Sequence, residues 1–158
     1  MKTRFSLLAA LILLVLVACN NDKKEDPGDH SGHEPKSQAD SLMADVMDGH
    51  DAGMAKYGKL KAMEQKIKAS IDSIAGLPAK TRDALAPYRA KLDSAAADLR
   101  SAINAMDKWM EEFDMDSAAN DLEKRIRYLM DEKMKVGQIK ESILNSLSKA
   151  DSLLKSSL

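Results

Sequence analysis

"LEKRIRYLMDEKMKVGQIKESILNSLSKADSLL", Leu122 to Leu154, is the stretch that decides the fold. Leu122, Ile126, Leu129, Lys133, Val136, Lys140, Ile143, Leu147, Ala150 and Leu154 alternate at spacings of four and three, and eight of the ten are apolar. A strand would need a period of two, whereas a period of 3.5 lines these side chains along one seam of a helix that meets its neighbours as in a coiled coil. Lysine at seam positions 133 and 140 either snorkels to water or selects a register or a partner.

The same count works upstream. Leu92, Ala96, Leu99, Ile103, Met106, Met110 and Phe113 keep the spacing, and Tyr88, Ala95, Ala102 and Trp109 make a second stripe beside them. Two stripes require two neighbours. Val46, Gly49, Gly53, Lys56, Leu60, Met63, Ile67, Ser70 and Ile74 repeat the pattern with weaker residues. Between the segments, "AGLP" (Ala75–Pro78) stops the first helix, because glycine ends a helix cheaply and proline fits only the first turn of the next. Pro87 predicts a short helical piece from Pro78 to Leu85 or a kink there. "FDMDSA" (Phe113–Ala118) joins the last two segments, with Asp114 or Asp116 as the N-cap, and Ser37 or Asp40 opens the first. The expected architecture is all-α: an elongated up-down-up three-helix antiparallel bundle over residues 38–158, with helices near 38–75, 84–113 and 117–156.

Ahead of the bundle, Lys2 and Arg4 precede "FSLLAALILLVLV", which ends in "LVAC" at Leu16 to Cys19. Thirteen residues make about 20 Å of helix, too short for a hydrocarbon core of about 30 Å, so the run reads as a processing signal. The pattern is that of a bacterial lipoprotein leader, residues 1–18, with Cys19 the lipidated first residue of the mature chain. Cys19 is also the only cysteine, which excludes a disulfide framework and any cysteine-based zinc or redox motif. The expected location is the envelope of a Gram-negative bacterium, anchored by lipid to the outer membrane on its periplasmic face or at the cell surface. Residues 19–37 carry Pro27, Gly28, Gly32 and Pro35 among charges and should form a disordered tether.

Loss of the leader removes Lys2 and Arg4 and leaves 22 basic against 25 acidic residues, a formal charge of −3. That balance excludes a nucleic-acid binder and gives no polybasic patch for anionic lipid, so membrane attachment falls to the acyl chains.

Chemistry, if there is any, concentrates in "DVMDGHDAGMAKYGKL", Asp45 to Leu60. Met43, Met47, His50 and Met54 lie along one helical stripe that flanks the seam. Antiparallel pairing brings them beside Met106, Trp109, Met110 and Phe113 and near Met115, Asp121 and Leu122. Thioethers with one imidazole at this spacing could hold Cu(I), with His30 and His33 of the tether delivering the metal. Alternatively the methionines fill gaps around Trp109, and His50 bonds an acid such as Asp121. Gly49 and Gly53 leave space there, and Trp109 is the expected filler. A His/Met haem site would use the same side chains, but "CxxCH" is absent and a fourth helix is missing. Catalysis lacks an inventory: His50 is the only histidine in the helical part, no Gly-rich phosphate loop exists, and acid pairs such as Asp131 and Glu132 read as solvated faces.

"DVMDGHDAGMAKYGKL", "AINAMDKWMEEFD" and "YLMDEKMKVGQIKESILNSLSKADSLL" together resemble small bacterial envelope lipoproteins often labelled viral A-type inclusion protein. "VMDGHDAGM" and "WMEEFD" are the most specific parts. The resemblance implies a lipid-anchored helical protein, with the family's His-Asp pair at His50 and Asp51 and its Trp-Met pair at Trp109 and Met110, and it supplies no catalytic residue. The combined expectation is a non-catalytic helical scaffold or interaction module that meets a protein partner or itself, with copper carriage as the alternative.

Overall fold

A computed structural model of the chain describes residues 37–156. The leader, Cys19, His30 and His33 lie outside the described residues. Four helices run in order, α1 (Gln38–Ala75), α2 (Ala79–Ala84), α3 (Ala86–Glu112) and α4 (Leu122–Lys155). The three long ones are antiparallel in sequence, and each packs against the other two. At 1.5 Å per residue, the 38 residues of α1 extend about 57 Å, so the bundle is long and its core is a narrow seam.

The helix ends follow from local chemistry. Ser37 has extended backbone, and its hydroxyl accepts the Asp40 amide at 3.1 Å, which satisfies one orphan donor of the first turn. Gly76 closes α1 at φ −77°, inside the right-handed region, so the turn does not use glycine's conformational freedom. Pro78 caps the short α2. Pro87 then falls in the first turn of α3, where a missing amide hydrogen costs nothing. The sequence expectation of a short piece ahead of the middle helix is therefore correct.

The last helix starts later than the spacing predicts, at Leu122 instead of residue 117. Asp114 and Asp116 do not cap it. Asp114 Oδ1 accepts the Asp116 amide at 3.0 Å in a local turn, Ala118 adopts φ 54°, and Asp121 accepts the Lys124 amide at 3.1 Å. Arg125 holds this loop by donating to the carbonyls of Met115 and Ser117, each at 3.1 Å. Leu122, counted as a seam residue, is 62 % exposed as a consequence of standing at the first helical position.

The core takes Val46, Leu60, Met63, Ile67 and Ile74 from α1, and Leu129, Val136, Ile143, Leu147 and Ala150 from α4. On α3, Leu92, Ala96, Leu99, Ile103 and Met106 are buried, as are Ala95, Ala102 and Trp109, so both expected stripes are covered from Leu92 to Trp109, while Tyr88 and Phe113 are half-buried and Met110 is exposed. The α4 seam differs from the counted one. Glu132 and Ser146 are buried and Ile139 is half-buried, while Lys133 and Lys140 are not buried. Leu129, Val136, Ile143 and Ala150 belong to either register; burial selects Glu132 over Lys133, whereas Ile139 and Lys140 are both half-buried and Ser146 and Leu147 both buried. Lys133 instead crosses to Asp45 of α1 at 2.7 Å.

Each pair of long helices has one such bridge: Lys133 with Asp45, Arg100 of α3 with Glu64 of α1 at 3.1 Å, and Lys149 of α4 with Asp98 of α3 at 2.5 Å. Glu64 is the best sheltered of these acids, with its side chain 15 % exposed. Lys68 first, and then Arg100, hold its carboxyl below the usual range against the opposing effect of burial. A carboxyl lowered on folding stabilises the protein above its ordinary titration range, and that stability is lost as pH falls through the folded value. Glu64→Gln should therefore cost about 1 kcal/mol near neutrality. In urea titrations the difference between the variant and the parent should shrink as pH falls below the ordinary glutamate range and the parent carboxyl becomes protonated.

Candidate functional site

The N-terminal half of α1, the end of α3 and the start of α4 meet where the sequence collects aromatic and sulfur side chains. His50 and Trp109 have ring centroids 5.7 Å apart, Trp109 and Phe113 stack at 4.8 Å, and Phe113 and Tyr128 stack at 6.2 Å. One ladder of rings thus crosses all three long helices. Its far end is tied down, because the Tyr128 hydroxyl accepts the Asp114 amide at 2.8 Å and so satisfies a backbone donor just past α3. Burial is the main cause of the raised pKa of this phenol.

Trp109 sets the polar half of the site. Its ring is buried, and Nε1 donates to Glu132 Oε2 at 2.7 Å. Lys135 supplies the other donor, with Nζ 2.8 Å from Glu132 Oε1, while also reaching Asp131 at 2.6 Å. These two carboxylates hold the Lys135 ammonium well above its usual range, Asp131 contributing most. Glu132 is therefore a buried carboxylate, not the solvated face its neighbour Asp131 suggested. Nearby, the Tyr57 hydroxyl donates to Asp107 Oδ1 in a short bond that raises its pKa, and Lys61 Nζ sits 4.5 Å from the Tyr57 ring centroid. Among the described residues no buried side-chain nitrogen or oxygen lacks a partner.

The methionine and histidine stripe divides between core and surface. Met43 and Met54 pack against the core, Met47 is half-buried, and the His50 side chain is 21 % exposed. His50 Nδ1 lies 2.9 Å from Asp51 Oδ1, its own neighbour, so the expected bond to Asp121 does not form. Asp121 caps α4 instead. Met106 is fully buried, Phe113 is half-buried, and Met110, expected in the seam, is 38 % exposed. Among the described residues no group of three or more His, Cys, Asp or Glu side chains could hold a metal ion.

Gly49 and Gly53 matter for close approach, but Trp109 does not fill the space they leave. A Cβ at Gly49 would stand 2.8 Å from Val136 Cγ1, and one at Gly53 would stand 2.5 Å from Met106 Cε. The glycines let α1 accept a valine of α4 and a methionine of α3, and the tryptophan is free to lie flat between His50 and Phe113.

Glu132 is the residue that sequence reasoning missed. A signal was available: Leu129, Glu132, Val136, Ile139, Ile143, Ser146 and Ala150 also alternate by three and four, and Trp109 needs an acceptor when buried.

Three outcomes follow for equilibrium unfolding. Trp109→Phe leaves Glu132 Oε2 without its donor and should cost about 2 kcal/mol, more than ring area alone explains. Gly49→Ala should cost about 1–3 kcal/mol by overpacking against Val136. Gly58→Ala, at an α1 position with nothing within 4 Å, should gain up to about 1 kcal/mol. Comparison of the chain with family models, with curated proteins and with solved structures finds no match, so the reading of this region rests on its own geometry.

Proposed function

We propose that the protein is a non-catalytic interaction scaffold of the bacterial cell envelope, anchored through a lipid on Cys19 and presenting helical faces to a protein partner. The observation that carries this reading is the outer face of α4, where Met130 is 55 %, Met134 57 % and Leu144 39 % exposed. With Gly137 and Glu141 they follow the four-three spacing, so they share one face, and a Cβ at Gly137 would meet nothing within 4 Å. Large apolar side chains repeated along one uncovered helix face mark contact surfaces, and methionine adapts its shape to what it meets. The polar groups around Trp109 support the same reading from the other side, because donors and acceptors there are spent on one another and serve to hold shape.

Lipid attachment is supported by the "LVAC" end of the apolar leader and by the resemblance to envelope lipoproteins. Among the described residues no helix is long and apolar enough to cross a membrane.

A photo-crosslinking amino acid placed at 130 or 134 in cells should give discrete adducts, while the same group at exposed Ala62 on α1 should give none. Labelled palmitate should mark the parent chain and not Cys19→Ala. A chain that remains adduct-free at 130 and 134 and runs as a strict monomer would defeat the scaffold reading; an unlabelled parent would defeat the anchor alone.

A further inference from the structure

The edge where α1 meets α3 carries a row of side chains that the scaffold reading does not use. Glu64 of α1 pairs with Arg100 of α3 at 3.1 Å, and the Tyr57 hydroxyl donates to Asp107. From the first contact to the second is seven residues back on α1 and seven forward on α3, the step of two antiparallel helices held in one register. Three residues farther in the same directions, Met54 stands opposite Met110. One turn earlier on α1 comes His50, whose ring centroid is 5.7 Å from that of Trp109, the chain neighbour of Met110. Met47 precedes it at a spacing of three. Met47, His50, Met54 and Tyr57 therefore form one helical row along this edge, each of them half-buried, and Met110 is 38 % exposed.

His50 is oriented as a ligand. Its Nδ1 lies 2.9 Å from Asp51 Oδ1, and an acceptor there places the ring proton on Nδ1, which leaves the lone pair of the neutral imidazole on Nε2. No protein group hydrogen-bonds Nε2. Because no buried side-chain nitrogen lacks a partner among the described residues, Nε2 is open to solvent. An imidazole held through one nitrogen by a carboxylate, with the other nitrogen open, is the arrangement of a metal-bound histidine.

The donors around it choose the metal. Among the described residues His50 is the only histidine, there is no cysteine, and no three His, Cys, Asp or Glu side chains converge. Zinc, calcium and magnesium need such donors. What the row offers instead are thioethers, which are neutral and soft, with one carboxylate charge behind the imidazole, a set that suits a soft monovalent ion.

We infer that His50 Nε2 and the thioethers of Met54 and Met110, with Met47 as a further donor, bind Cu(I) at the α1/α3 edge, and that Asp51 is a positioning residue that holds the imidazole. The ion binds and leaves as Cu(I), so no electron is transferred. The site uses no residue of α4 and does not rest on the scaffold reading.

Trp109 is the only tryptophan of the chain and its ring adjoins His50, so a heavy ion at this edge should quench its emission. The test uses the full chain in detergent with Cys19→Ala, His30→Ala and His33→Ala, so that no thiol or tether imidazole competes. Ag(I), an air-stable stand-in for Cu(I), should quench Trp109 to saturation at one ion per chain with a dissociation constant below about 1 µM, and Zn(II) should not. Cu(I) under anaerobic conditions should show sulfur and one nitrogen in its X-ray absorption spectrum. His50→Ala, and separately Met54→Leu with Met110→Leu, should each weaken Ag(I) at least about tenfold with helical circular dichroism unchanged, the leucines keeping side-chain volume. Asp51→Ala should weaken it about tenfold through the freed imidazole. Met130→Leu with Met134→Leu should leave the titration as it was. Binding weaker than about 1 µM, Zn(II) bound as tightly as Ag(I), or undiminished binding in either His50→Ala or the Met54→Leu, Met110→Leu variant would overturn the inference. Undiminished binding in Asp51→Ala would overturn the role given to Asp51.

Discussion

A carboxylate taken out of water needs donors where it lands, and the bundle is arranged around one such requirement. Glu132 is buried against α3 and receives one hydrogen bond from Trp109 across the interface and one from Lys135 on its own helix. Removing Lys135 would leave a buried charge without its counter-ion, and removing the indole would leave one buried oxygen without its donor; either costs more than the contact is worth in place. The contact is therefore a register constraint: it fixes which turn of α4 stands opposite Trp109, and with it the position of every ring in the ladder from His50 to Tyr128.

Steric fit on α1 works with that constraint. Gly49 and Gly53 admit Val136 and Met106 to within distances that a side chain at either position would forbid. Glycine weakens a helix interior by about 1 kcal/mol relative to alanine, so two of them one turn apart are retained only where closeness returns more. Farther along, Arg100 with Glu64 and Lys149 with Asp98 tie the remaining lengths, where the seam is mainly leucine, isoleucine and alanine and would by itself permit sliding. Order is thus specified at one end by polar and aromatic contacts and maintained along the rod by apolar burial.

The apolar seam uses up the inward faces of all three helices and leaves two outward ones with distinct character. One is the methionine-bearing side of α4, apolar and adaptable. The other is the groove between α3 and α4, lined with small residues and rimmed by lysine. Under the proposed scaffold reading such faces would hold partners, and a lipid on Cys19 would concentrate the protein at a membrane where partners are also confined.

Periodicity determined that three long helices, near 38–75, 84–113 and 117–156, fold back on one another, because a 3.5-residue repeat has no other way to bury its apolar side chains, and Gly76, Pro78 and the aspartates after Phe113 marked the breaks. It also placed the tryptophan, the histidine and the methionines at one end. What it left open was rotation about each helix axis. On α4 two registers share Leu129, Val136, Ile143 and Ala150, and the sequence pattern favours the one with more leucine, through Lys133, Lys140 and Leu147. The tertiary structure turns the early part of α4 to the other, burying Glu132 in place of Lys133, because Lys133 reaches outward to Asp45 on a long stem while Glu132 supplies the acceptor that the buried indole requires; farther along, Ser146 and Leu147 are both buried. The N-cap moved for a similar reason: Asp114 and Asp116 are consumed by the loop that Arg125 ties down, and only Asp121 is left to start the helix. Local spacing records which residues share a face; only packing against specific neighbours decides which of two overlapping faces goes inside.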